Sequence, residues 1–141
     1  MNELHASVRT LARLARILEH TCSDLSLPQY RVLAVVAEGD ERASHPADRL
    51  TLAKPTVTAV VEGLVERGLL KRSTVEGDRR AVRLGITPAG RRALAATDKA
   101  LAARLDALFQ RCDDPVAITA ALAQLQDALD QMLADRVGAR R

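Results

Sequence analysis

Two short groups of residues carry the donors that could grip a polyanion. Lys54, Thr56 and Thr58, with Pro55 among them and Ser44 upstream, stand at the start of a segment with helical spacing, whereas Asp78, Arg79 and Arg80 fall in a turn-rich tip and Arg72 lies between the groups. A lysine can bond a phosphate or the O6/N7 edge of guanine, and threonine offers a hydroxyl plus a methyl that suits the thymine C5 methyl. An arginine guanidinium can enter a narrow, electronegative minor groove without demanding much sequence information. The plainer alternatives are that Thr56 only caps or solvates a helix start and that Asp-Arg-Arg is a solvated charged turn. Charge distribution favours the polyanion. Between Arg67 and Arg83 six basic residues (Arg67, Lys71, Arg72, Arg79, Arg80, Arg83) stand against two acids (Glu76, Asp78), a net +4, while the whole chain carries +3. From Asp113 to Asp135 the polarity reverses, with five aspartates and no Lys or Arg. One end of the chain is suited to polyanions and the other is not.

A second group lies near the N-terminus. Arg9, Arg13, Arg16 and His20 recur at spacings of 4, 3 and 4, which stacks them on one face of a helix. They could form an anion-binding wall, to which Tyr30 could add a hydroxyl. Equally they could be a solvated stripe, or one paired with acids such as Asp127 and Asp130, with Tyr30 merely packing. Cys22 and Cys112 are far apart and lack CxxC or Cys/His spacing, so neither a disulfide framework nor a metal site is expected. There is no Ser/His/Asp spacing, no metal cluster and no phosphate-cradling glycine loop, so the chain is not expected to be an enzyme or to carry a cofactor.

The elements that must position these residues follow from periodicity and caps. Leu4, Val8, Leu11, Ala15 and Leu18 give residues 3–22 the stripe of an amphipathic helix. Ser-Leu-Pro-Gln at 26–29 is a capping-box signature for a helix through about Glu38, ended by Gly39. Ser44 can cap a short helix from His45 to about Leu52, with Pro46 in its first turn. After a connection at 51–53, a longer helix begins near Lys54, carries Val57, Val60, Val61, Leu64 and Val65, and ends at Gly68. Two helices so closely joined are a helix-turn-helix candidate. Residues 69–75 and 81–87 read as two strands of a β-hairpin with its tip at 76–79, since Val82, Leu84 and Ile86 alternate with Ala81, Arg83 and Gly85. Thr87-Pro88 opens a helix to about Gln110, with Leu94, Leu101, Leu105, Leu108 and Phe109 on its apolar side. Asp114-Pro115 opens a last one, striped by Ile118, Leu122, Leu125, Leu129 and Met132, before a tail at 136–141 expected to fray.

The fold class expected is therefore mainly α with a small β-hairpin, a winged helix-turn-helix flanked by N- and C-terminal helices. Five motifs in order, Leu-Pro-Gln-Tyr-Arg-Val-Leu (27–33), Ala-Lys-Pro-Thr-Val-Thr (53–58), Leu-Val-Glu-Arg-Gly-Leu-Leu (64–70), Gly-Asp-Arg-Arg (77–80) and Ile-Thr-Pro-Ala-Gly (86–90), resemble the MarR (multiple antibiotic resistance regulator) family. The resemblance implies one domain over 1–141, with a DNA-binding region at 27–90 and dimerisation helices at 1–24 and 91–137. It further implies a repressor that binds a pseudo-palindromic operator in double-stranded DNA as a homodimer and is released by a small, anionic lipophilic effector. The residues it assigns to DNA are Ser44, Lys54, Pro55, Thr56, Thr58, Arg72, Asp78, Arg79 and Arg80, with Asp78 bracing an arginine. Ala53 and Ala59 depart from it, standing where family members often place a capping Ser and a basic residue. The recognition helix is accordingly expected to be lean in phosphate contacts and the hairpin to supply more of the affinity.

The bulk numbers agree. At 141 residues, 48% hydrophobic and with only two aromatics, Tyr30 and Phe109, a lone core would be built from small aliphatic side chains, and the long leucine-bearing helices call for a second surface. No apolar run is long enough to span a bilayer and no signal-peptide pattern is present, so no membrane partner and a cytoplasmic location are expected. Two alternatives stay open: a redox-sensing regulator of the same fold acting through Cys22 or Cys112, and a winged-helix module that binds protein.

Overall fold

The computed structural model describes residues 2–39, 54–75 and 77–139, and among these it omits the side chains of 54, 75, 78–81 and 137. In order come α1 (Asn2–Thr21), α2 (Leu27–Ala37), α3 (Lys54–Glu66), β1 (Leu70–Val75), β2 (Asp78–Ile86), α4 (Pro88–Phe109) and α5 (Pro115–Gly138). The short helix expected at 45–52, its Ser44 cap and the connection at 51–53 lie outside the described residues. The chain divides into two compact units, residues 1–104 and 105–141.

Within the first unit, the helix ends are set by the residues the sequence singles out. Ser26 Oγ accepts the Gln29 amide at 3.2 Å and Gln29 Oε1 accepts the Ser26 amide at 3.0 Å, a reciprocal capping box that satisfies two donors α2 would otherwise leave bare. At the end of α3, Gly68 takes φ of +71°, its amide bonds to Val65 O, and the Leu69 amide bonds to Leu64 O at 2.9 Å. This is a Schellman turn, and the buried pair Leu64 and Leu69 seals it. Thr87 then ties that turn to the next helix. Its hydroxyl donates to Gly68 O at 2.6 Å and accepts the Gly90 amide at 3.0 Å, while its own amide bonds to Leu69 O. Gly90 is required by the close approach, because a Cβ there would run into the Leu69 carbonyl oxygen.

The core comprises Leu25, Val32, Leu33, Val35 and Val36 around α2, Val57, Val61 and Leu64 of α3, then Leu69, Leu70 and Leu84. Val60, Val65, Ile86 and Leu94 pack at its margin, as the periodicity predicts. The hairpin is antiparallel, with Leu70 opposite Ile86 and Arg72 opposite Leu84.

Four boundaries differ from expectation. β1 starts at Leu70 and β2 ends at Ile86: the Thr87 amide still bonds across to Leu69 O, but the Leu69 amide turns back to Leu64 O and the Thr87 carbonyl accepts the Arg91 amide of the next helix. β2 starts at Asp78 rather than 81, since Gly77, at φ +85°, lets the chain reverse without a four-residue tip. Pairing there is irregular: Thr74 faces Val82 but Val75 faces Asp78, so one step along β1 spans four along β2 and the backbone of 79–81 is a bulge. Val82 is exposed, beyond the core's edge, although its alternation suggested burial. Finally, the tail expected to fray from 136 is helical to Gly138, with the Ala139 amide bonded to Asp135 O; Arg136 in the last turn suits the negative helix end.

In the second unit, Asp114 caps α5 by accepting the Ala117 amide at 2.9 Å. Leu125 is 53% exposed and Leu129 50% exposed on α5, so its apolar stripe is uncovered in the single chain. The same holds for α1, where Leu4 is 74% and Val8 64% exposed.

Candidate nucleic-acid interface

Helix α3 presents two unlike sides. Val57, Val61 and Leu64 sink one side into the core, and at about 100° per residue the opposite arc carries Pro55, Ala59, Glu62 and Glu66, with Thr56 and Thr58 flanking it. Pro55, Thr56, Thr58, Ala59, Glu62 and Glu66 are all exposed. Lys54 opens the helix. Its far end is fixed to α2, since Arg67 donates to Gln29 Oε1 at 3.1 Å; the capping glutamine therefore also braces the exposed helix.

Next to α3 the hairpin exposes Lys71, Arg72 and Arg83. The aliphatic stem of Lys71 lies over Gly85, its cross-strand partner, where any Cβ would crowd it. Asp78, Arg79 and Arg80 sit on the first residues of β2, in the bulged stretch rather than in a loop. Of the residues assigned to DNA, Lys54, Pro55, Thr56 and Thr58 thus share α3, and Arg72, Asp78, Arg79 and Arg80 share the hairpin. Ser44 lies outside the described residues.

The second group separates. Arg9, Arg13, Arg16 and His20 are all exposed on α1, but only Arg16 and His20 line an open cleft of about 520 Å³, together with Ile17, Thr21 and Arg104 of α4. His20 Nδ1 donates to Arg16 O at 2.8 Å, which fixes the ring and leaves Nε2 for a ligand or solvent. Sequence spacing could not find Arg104, which arrives from a helix more than eighty residues further on. Tyr30 lies elsewhere: its hydroxyl donates to Asp98 Oδ1 at 2.7 Å, and burial, reinforced by that hydrogen bond and the Asp98 charge, pushes it up to about 12. Burial, with the Glu19 charge adding to it, also pushes the Cys22 thiol up, away from the thiolate that peroxide chemistry needs. Cys112 is exposed. Among the described residues no helix is long and apolar enough to cross a membrane.

A helix with one side sunk in a helical core and the other bare, followed through a glycine turn by a basic two-stranded hairpin, defines a winged-helix protein. Comparison with known proteins specifies which kind. Residues 23–81 match the model of the MarR family. Over 85 residues the chain is 32% identical to YfiV of Bacillus subtilis strain 168, an uncharacterized HTH-type transcriptional regulator; the match covers 60% of this chain and about half, 53%, of that relative. The transcriptional repressor CouR, solved bound to a 23-mer DNA duplex, is 27% identical with a TM-score of 0.69, covering 94% of this chain and 89% of that one. The fold is shared with BpsR of Bordetella bronchiseptica, whose DNA binding is regulated by 6-hydroxynicotinic acid: TM-score 0.75, 23% identity, 92% of this chain and 99% of that one. Over residues 23–81 the chain is thus similar to the MarR family, and its fold is that of winged-helix regulators.

Proposed function

We infer that this chain binds duplex DNA and regulates transcription, acting as a homodimeric repressor on a pseudo-palindromic operator. The observation that carries the reading is the bare face of α3 beside a hairpin whose segment holds a net +4. Lys54, Pro55, Thr56 and Thr58 meet base edges and backbone in a major groove, while Arg72, Arg79 and Arg80 meet phosphates and the neighbouring minor groove, with Asp78 bracing an arginine. CouR supports it as a DNA-bound repressor of similar sequence. Duplexes selected from random DNA should bind with a steep inverse dependence on salt and contain half-sites about 10 to 10.5 base pairs apart or a small multiple. Salt-insensitive or absent binding overturns the reading.

The uncovered stripes of α1 and α5 support the homodimer, since long apolar faces of this kind are buried in a partner. Sedimentation as a monomer at micromolar concentration would refute it. Release by an anionic lipophilic effector rests on the cleft holding Arg16, His20 and Arg104, where guanidinium groups can hold a carboxylate. Such an acid should weaken duplex binding in the native chain, and Arg16→Ala and Arg104→Ala should blunt that response. Release unaffected by both substitutions places the effector elsewhere.

A further inference from the structure

Glu62 is out of place on α3. It is exposed on the helix's bare arc, has no ion pair or hydrogen bond among the described residues, and stands four residues before Glu66. Like charges at that spacing oppose the helix, and mid-helix a carboxylate gains nothing from the macrodipole. After Lys54, α3 holds no further base, so the local sequence gives Glu62 no partner. On a surface meant to approach phosphates such a charge is unfavourable unless something specific accepts it.

We propose that Glu62 is a specificity-determining residue whose carboxylate accepts a hydrogen bond from the N4 amino group of a cytosine in the major groove. The proposal rests on the DNA-binding reading above. An ionised carboxylate is purely an acceptor, and of the base edges in that groove cytosine presents a donor alone, where adenine pairs its donor with an acceptor that repels it. Geometry allows the contact. Pro55, Ala59 and Glu62 follow one arc, and Glu62 lies about 10 Å along the axis from Pro55, close to three base-pair steps. The small Ala59 side chain one turn earlier lets the helix sit deep enough for a glutamate to reach a base edge. The absence of a basic residue at 59 is part of this device: a cation there would neutralise Glu62 before the base could.

The test is selection of duplexes from random DNA by the full chain and by Glu62→Gln, Glu62→Ala and Glu66→Ala, with thermal melts to confirm that all four fold alike. The native chain should enrich cytosine at one position in each half-site. Glu62→Ala should flatten that position alone, with a loss of about tenfold in discrimination, and Glu62→Gln should turn its preference to adenine, whose N6/N7 edge pairs with an amide. Glu66→Ala should leave the selected sequences unchanged. If all variants select the same sequence and Glu62→Ala simply binds every duplex more tightly, Glu62 is only a repulsive charge and the proposal fails. Should the native chain bind no duplex, the DNA-binding reading fails first and takes this assignment with it.

Discussion

Tyr30 is the chain's single tyrosine and there is no tryptophan, so its ionisation can be followed by tyrosinate absorbance near 295 nm without interference. The ring is half-buried at the edge of the core, and its hydroxyl donates to Asp98 at 2.7 Å across 68 residues of sequence. Burial disfavours the phenolate first, and the adjacent carboxylate both holds the proton and repels the anion, which raises the group from 10.0 to about 12. A folded-state value above the unfolded one means that the native state retains a proton the unfolded chain has lost. The stabilisation is thus complete below pH 10 and disappears as pH climbs from 10 through about 12. Two units correspond to roughly 2.7 kcal/mol at full strength, and solvent screening at a half-buried site reduces this to about 1–2 kcal/mol. Absorbance should therefore rise well above pH 10 in the native chain and near 10 in denaturant. Asp98→Asn should lower the native midpoint without abolishing the shift, because burial remains. In urea melts, Tyr30→Phe should lose less stability than the native chain between pH 9 and 11. A native midpoint near 10, or identical pH dependence of the two chains, refutes the reasoning.

Gly90→Ala should destabilise the chain by about 1–3 kcal/mol despite the better helix former, because its Cβ meets the Leu69 carbonyl rather than a yielding side chain; an unchanged denaturation midpoint would show that α4 shifts freely. Removing Arg80 should weaken binding to all duplexes alike and lower the slope of log affinity against log salt by about one unit. Because Cys22 is held as the thiol, hydrogen peroxide should leave duplex affinity unchanged, and at neutral pH a disulfide reagent should modify exposed Cys112 before Cys22.

What could be read from sequence was whatever the chain settles locally. Ser26 and Gln29 cap α2 over three residues, Gly68 closes α3 within one turn, and Thr87-Pro88 opens α4, so composition and spacing identify each of them. The hairpin tip was misjudged because apolar alternation is visible only from Ala81 onward. Asp78, Arg79 and Arg80 join β2 through the permissive backbone of Gly77, for which hydrophobic pattern gives no sign. Contacts between distant elements were illegible altogether: the Tyr30–Asp98 bond, the Arg67–Gln29 brace and the arrival of Arg104 beside Arg16 and His20 depend on how helices pack. The stripes of α1 and α5 were visible as apolar, yet amphipathicity alone does not say what covers them.

Charge and shape divide the proposed labour in a way that follows from α3 itself. From Lys54 to Glu66 that helix holds one base and two acids, so it contributes little net attraction to a polyanion. Its anchoring is mechanical instead: Val57, Val61 and Leu64 in the core, a Schellman turn at Gly68, and Arg67 held by Gln29. The six basic residues begin only at that last turn and continue through the hairpin. On this reading the hairpin supplies the salt-dependent affinity, and α3, rigid and nearly neutral, spends its exposed face on hydroxyls, methyls and one acceptor that discriminate among bases. Substitutions in the two elements should then separate, hairpin changes altering the salt slope at constant preference and α3 changes beyond Lys54 altering preference at constant slope.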